Sequence, residues 1–136
     1  MSGRFSGQLG RFAGRTKHNL DATRRAVAIK LFSAVIMDTP VLTGRLRGNW
    51  QTSINSPLTA SIDRDDLTGA EAIKDVEKMV AQSRPTDVMY LRNNLPYAYR
   101  IEYEGWSKVK APEGMVRRNV ARFRRILNEA VRENRA

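Results

Sequence analysis

The sequence predicts an α+β domain: a small antiparallel sheet of about four strands packed against long N- and C-terminal helices, with a short inserted helix and a flexible N-terminal arm. Three observations predict it. Apolar residues recur at helical spacing near both ends of the chain, segments between them alternate apolar and polar with a period of two, and Pro, Gly and Asn clusters punctuate the boundaries. A length of 136 residues suits one hydrophobic core. The expected organisation is an arm over residues 1–15 and a single domain over residues 16–136.

The arm rests on a repeat, GRFSG at residues 3–7 and GRFAG at residues 10–14. Glycine and arginine with single phenylalanines offer little apolar surface to offset the entropy of ordering. The arm is either an unstructured tail or a set of Phe anchors and Arg contacts that order on assembly. A helix is expected to begin between residues 16 and 19, capped by Thr16 or Asn19. Leu20, Val27, Leu31 and Val35 form its apolar stripe, widened by Ala28, Phe32 and Ile36. Pro40 ends it, because the ring disfavours helical geometry at Thr39.

Residues 43–50, TGRLRGNW, follow. Gly44 and Gly48 lack the Gly-Lys-Ser/Thr of a phosphate loop, so residues 39–50 read as a mobile loop feeding a strand, with Trp50, Thr52 and Ile54 on one face. Trp50 carries a large apolar surface and an indole N–H that needs a partner. Asn55, Ser56 and Pro57 mark a turn, and Leu58, Ala60 and Ile62 predict a second strand. Thr68 and Glu71 match a capping box opening a short helix with Ile73, Val76 and Val80 inward. Residues 87–92 predict a third strand, and Asn93 to Pro96 a turn. Tyr97, Tyr99, Ile101 and Tyr103 alternate with Ala98, Arg100, Glu102 and Glu104, which predicts the fourth strand, closed by Gly105 and Trp106. Ala111, Pro112 and Glu113 open the last helix, which places Val116, Val120, Phe123, Leu127 and Val131 on one side.

Composition narrows the chemistry. There is no cysteine, hence no disulfide framework and no thiolate nucleophile or ligand. His18 is the single histidine and reads as a surface residue, so no triad can be assembled. Glu102 and Glu104 share one strand face and read as a charged outer surface rather than a hydrolytic pair. Asp63, Asp65 and Asp66 fail the calcium-loop pattern, which needs Gly at the sixth position and Glu at the twelfth. No enzyme activity, metal or cofactor is expected. The longest apolar run, residues 26–37, is broken by Lys30 and is too short for a bilayer; the N-terminus has no signal-peptide core. A protein made in a cytoplasm, without a membrane partner, is the expectation.

The net charge of +10 is uneven. Residues 1–25 hold six bases and one acid, and residues 111–136 seven bases and three acids, while residues 62–87 hold seven acids and four bases. Basic ends and an acidic middle imply contact with a polyanion or between oppositely charged faces of neighbouring copies. The chain carries no zinc pattern, RNP signature or clear helix-turn-helix, so the alternative of a basic nucleic-acid-binding protein is a nonspecific one.

TPVLTGRLRGNW (residues 39–50) and NNLPYAYRIEYEGWSKVKAPEGMVRRNV (residues 93–120) together resemble the neck and tail-completion proteins of tailed bacteriophages. The likeness runs over residues 26–127. Glu104 stands between the Tyr and Gly of the corner motif, a small variation on the family's pattern. The resemblance implies a structural virion protein of the neck: a ring of six or twelve copies around the DNA channel, between portal, adaptor or stopper proteins and the tail terminator or tube, present in the host cytoplasm during assembly. Copies in a ring meet head to tail through two different patches. Arg45 and Arg47 against Glu102 and Glu104 are the expected charges across that contact, unless they pair within one chain. Leu46 and Trp50 are the expected apolar anchors, with Trp106 either an alternative anchor or part of the core. Arg4, Arg11 and Arg15 on the arm and Arg117, Arg118, Arg122 and Arg125 on the last helix are the residues expected to face packaged double-stranded DNA, or else a neighbouring protein.

Overall fold

The computed structural model describes the backbone of residues 2–103 and 114–133, and side chains from Leu20 onward within those ranges. Along the chain come α1 (Ser2–Met37), α2 (Arg45–Gly48), β1 (Trp50–Ile54), α3 (Ala70–Gln82), β2 (Met89–Asn93), α4 (Pro96–Tyr103), α5 (Val116–Ala121) and α6 (Phe123–Glu133). The described residues thus form six helices and one two-stranded antiparallel sheet, a mostly helical α+β fold. The expected sheet of about four strands is corrected to two.

The two strands that form pair Trp50 with Asn93 through to Ile54 with Met89. Residues 58–62 lack a ladder because side-chain amides occupy their main chain. The Gln51 carboxamide donates to the Ala60 carbonyl (2.7 Å), Asn94 donates to the carbonyls of Leu58 and Ala60 (2.9 and 3.2 Å), and the Ile62 amide donates to Asn49 Oδ1 (2.8 Å). Backbone groups held this way have no need of a strand partner.

The aromatic segment is helix α4. Its residues fit two periods at once: Ala98 and Glu102, four apart, are buried with Tyr97 and Ile101 beside them, while Tyr99 and Tyr103, also four apart, are exposed. Pro96 sits at the first helical position, where its missing N–H costs nothing. The buried carboxylate of Glu102 decides for helix, because it is needed at the start of α5.

Helix α1 begins at Ser2 rather than between residues 16 and 19, so the expected arm has a helical backbone over residues 2–15. At 1.5 Å per residue, α1 is about 54 Å long. Its C-terminal half packs against α3, α5 and α6. Val35 and Ile36 from α1, Leu46, Trp50, Ala72, Val76 and Val80, then Leu95, Ala98 and Met115 make one core. Burying each large aliphatic side chain is worth roughly 1.5–3 kcal/mol. α3 buries Val76 and Val80 as expected, but Ala72 is the third buried residue and Ile73 only packs against the core from its edge. The expected capping box does not form: Gly69, at φ 80°, is the N-cap and has no side chain to cap the helix. The last helix is divided at Arg122, and its buried face is Asn119, Ile126 and Ala130 rather than the apolar stripe. Residues 104–113, with the Gly105–Trp106 corner and the expected helix start, lie outside the described residues.

Candidate functional site

The segment TGRLRGNW folds as a joint between α1, β1 and α3. Thr39 caps the end of α1 by donating its hydroxyl to the Val35 carbonyl (2.8 Å), and accepts the Trp50 indole N–H (2.7 Å). The buried indole therefore has its partner, as burial requires. Gly44 adopts φ 87°, and a Cβ there would stand 2.7 Å from the backbone of Asp66 and Leu67. A Cβ on Gly48 would strike the Arg64 carbonyl oxygen. The two glycines are spaced for close passage of the chain at residues 64–67, which explains a pattern that resembled a phosphate loop.

Arg47 is the clamp of this joint. Its guanidinium donates to the carbonyls of Leu67 (2.7 Å), Met37 (2.9 Å) and Thr39 (2.9 Å), so one planar fork ties the end of α1 to the loop before α3. Arg64 does the same from the other side, donating to the carbonyls of Gly48 (2.8 Å) and Trp50 (3.2 Å) and pairing with Asp75 (2.6 Å). Asp66 is buried and accepts the Ala72 amide of α3 (2.9 Å). Asp63 pairs with Arg45 at 3.2 Å on the surface. Asp63 and Asp66 thus take separate roles, and among the described residues no group of three His, Asp or Glu side chains is placed to hold a metal ion.

The second joint is built on Glu102. Its carboxylate accepts the amides of Met115, Val116 (3.1 Å) and Arg117 (2.8 Å) at the start of α5, while Arg117 donates to the Glu102 carbonyl. A carboxylate among the unpaired amides of a helix start satisfies donors and meets the favourable end of the helix dipole. Arg117 also lies over the Tyr103 ring at 5.0 Å, and Tyr103 packs at 4.8 Å from Tyr99. Asp38, at the end of α1, accepts from Asn119 (2.8 Å) and faces Arg118 (3.8 Å) and Arg122 (4.0 Å).

The expected site residues therefore divide. Leu46 and Trp50 are buried in the core of their own domain, and Arg47 and Glu102 have their hydrogen-bonding partners within the chain. Glu102 does not lie on a charged strand face. Arg45 is on the surface, and Glu104 and Trp106 are outside the described residues. Of the expected DNA-facing arginines, Arg117 neighbours Glu102, Arg118 and Arg122 neighbour Asp38, and Arg125 neighbours Glu129 at 3.7 Å. The side chains of Arg4, Arg11 and Arg15 lie outside the described residues.

Sequence reasoning did not find the roles of Thr39, Asn49, Arg64, Asp66 or Asp38, whose partners Trp50, Ile62, Gly48, Ala72 and Asn119 lie beyond the reach of a local pattern. The two joints touch. Asn93 donates its side-chain amide to the Leu46 carbonyl (2.8 Å) and pairs with Trp50 in the sheet. Leu95, Ala98 and Met115 close over Trp50 in the same core, beside a groove of roughly 460 Å³ lined in part by Tyr99 and Tyr103. No described helix is long and apolar enough to cross a membrane. Comparison with protein-family models, with curated proteins and with solved structures finds no match.

Proposed function

We propose that this chain is a structural component of a bacteriophage neck, assembling as a ring of identical copies that joins the portal-bound proteins to the tail and surrounds the DNA channel. One observation supports the reading above the others. The two separate stretches that carry the resemblance meet through Asn93 and Leu46 and share one core around Trp50, so they act as a single unit. Their polar groups serve the frame: Arg47, Arg64, Asp66 and Glu102 are engaged with backbone groups of the same chain. Large apolar groups meanwhile stay outside, among them Leu42, Tyr99, Tyr103 and Val120. A frame of this kind suits a protein whose surface is completed by neighbours.

Mass spectrometry of purified particles tests the proposal, together with electron microscopy of particles made without the gene. The expected result is the chain in mature virions, and DNA-filled heads unattached to tails in its absence. Failure to find it in particles overturns the reading. A second reading, nonspecific contact with duplex DNA, draws on the net charge of +10. It requires an affinity that falls steeply with salt, and an affinity indifferent to salt refutes it.

A further inference from the structure

The last helix has two apolar faces where attachment to α1 uses one. Asn119, Ile126 and Ala130 are the buried residues of α5 and α6, and both helices pack on α1. Val116 and Val120 stand four apart on α5, as do Phe123, Leu127 and Val131 on α6, which puts each set on one face of its own helix, apart from the buried residues. All but Leu127 are exposed, Val120 at 55%. Arg117 on α5 and Arg124 and Arg132 on α6 are exposed beside these residues and give the patch a basic edge.

A second patch lies at the first joint. Leu42 is 94% exposed and Leu67 61%. The turn and loop that carry them are stitched together, since the Asp66 amide donates to the Gly44 carbonyl (2.9 Å) and Arg47 holds the Leu67 carbonyl. Exposed Asp65 and Glu71 stand in the same loop and at the start of α3. One patch is therefore an apolar stripe with a basic edge, and the other an apolar knob with an acidic edge.

We infer that the two patches are the halves of a head-to-tail contact between copies of this chain, the α5–α6 stripe of one copy receiving Leu42 and Leu67 of the next. Charge selects this pairing. Arg124 and Arg132 meet Asp65 and Glu71 across such a contact, whereas a symmetric stripe-to-stripe dimer brings two arginine rows together. Two different patches meeting head to tail close into a ring when the rotation permits. The stripe is about 22 Å long. Two leucines against one stripe make a small contact, so a single contact is weak and ring closure strengthens it through several contacts at once. This inference names the surfaces of the ring proposed above and rests on that reading. Association is read in purified protein and the neck role in particles, so either can fail alone.

Two variants of the full chain test it by sedimentation. Val120→Asp with Phe123→Asp removes the stripe and keeps the knob; Leu42→Asp with Leu67→Asp does the reverse. The wild type is expected to associate as its concentration rises through tens of micromolar, and each variant to sediment as a monomer. Their equimolar mixture is expected to form a heterodimer and nothing larger, because only one competent pair of patches remains. A charge set checks the same contact without touching the apolar groups. Arg124→Glu with Arg132→Glu, or Asp65→Arg with Glu71→Arg, weakens association at least tenfold, and the protein carrying all four changes regains it. A wild type that stays monomeric at millimolar concentration overturns the inference. So does a mixture that stays monomeric at millimolar concentration, or a four-residue charge swap without recovery.

Discussion

Arg45 and Arg47 stand two residues apart with the same charge, yet they predict opposite outcomes on substitution. Arg47→Ala removes three hydrogen bonds from a charged donor to the carbonyls of Leu67, Met37 and Thr39. Bonds to charged groups are worth about 1.5–3 kcal/mol each, and the partial exposure of Arg47 argues for the low end or below. The expected loss is about 3–4 kcal/mol, a large share of the roughly 5–15 kcal/mol that holds a domain folded. Urea unfolding followed by far-UV circular dichroism reads it directly. With a slope of about 1.5–2 kcal/mol per molar, the midpoint falls by about 2 M. Arg47→Lys keeps the charge but cannot reach all three carbonyls, and about 2 kcal/mol is lost. Arg45→Ala removes only a surface pair with Asp63 and costs less than about 0.5 kcal/mol. A loss under about 1 kcal/mol for Arg47→Ala, or equal losses for the two alanine variants, refutes the clamp. It also follows that reversing both charges disrupts the frame first, so lost association in such a double variant does not identify a subunit contact.

Glu102→Ala strands the amides at the start of α5, among them that of buried Met115, and is expected to cost about 3 kcal/mol, with Glu102→Gln near half of that, measured by thermal unfolding. Gly48→Ala places a methyl against the Arg64 carbonyl and should destabilise by about 2 kcal/mol or more, whereas an unchanged melting temperature means residues 64–67 pass elsewhere. The Arg84 amide first, then the Asn55 carboxamide, hold the Asp87 carboxyl below its usual 3.8. A depressed folded value means its stabilising contribution is complete above the unfolded value and lost as pH falls through the folded one. A carboxyl NMR titration should show the low midpoint in the wild type and a rise in Asn55→Ala; no difference between them removes Asn55 as a cause.

Parts of this fold were legible because local pattern and tertiary need agree. β1 and α3 carry apolar residues at one period only, and both form close to where that period places them. The segment at residues 97–103 satisfies two periods, and periodicity could not choose between them. The deciding contact, Glu102 with the amides beginning at Met115, spans thirteen residues and leaves no local mark. Residues 58–62 show the converse: their alternation is real, but Gln51, Asn94 and Asn49 reach their main chain first. The motif TGRLRGNW was visible as a unit while its role was not. Arginines flanking a leucine read alike in sequence, and only the fold directs Arg47 inward and Arg45 outward. The stripe on α5 and α6 was recognised as apolar, but an isolated helix does not reveal which of two neighbouring faces α1 will cover.

The amides that guide residues 58–62 grip carbonyls and an N–H, groups every amino acid shares except for the N–H of proline at position 62. The path of that segment is thereby uncoupled from its spelling. The side chains of residues 58–61, all exposed, can therefore change without moving the loop, while Asn49, Gln51 and Asn94 keep its path.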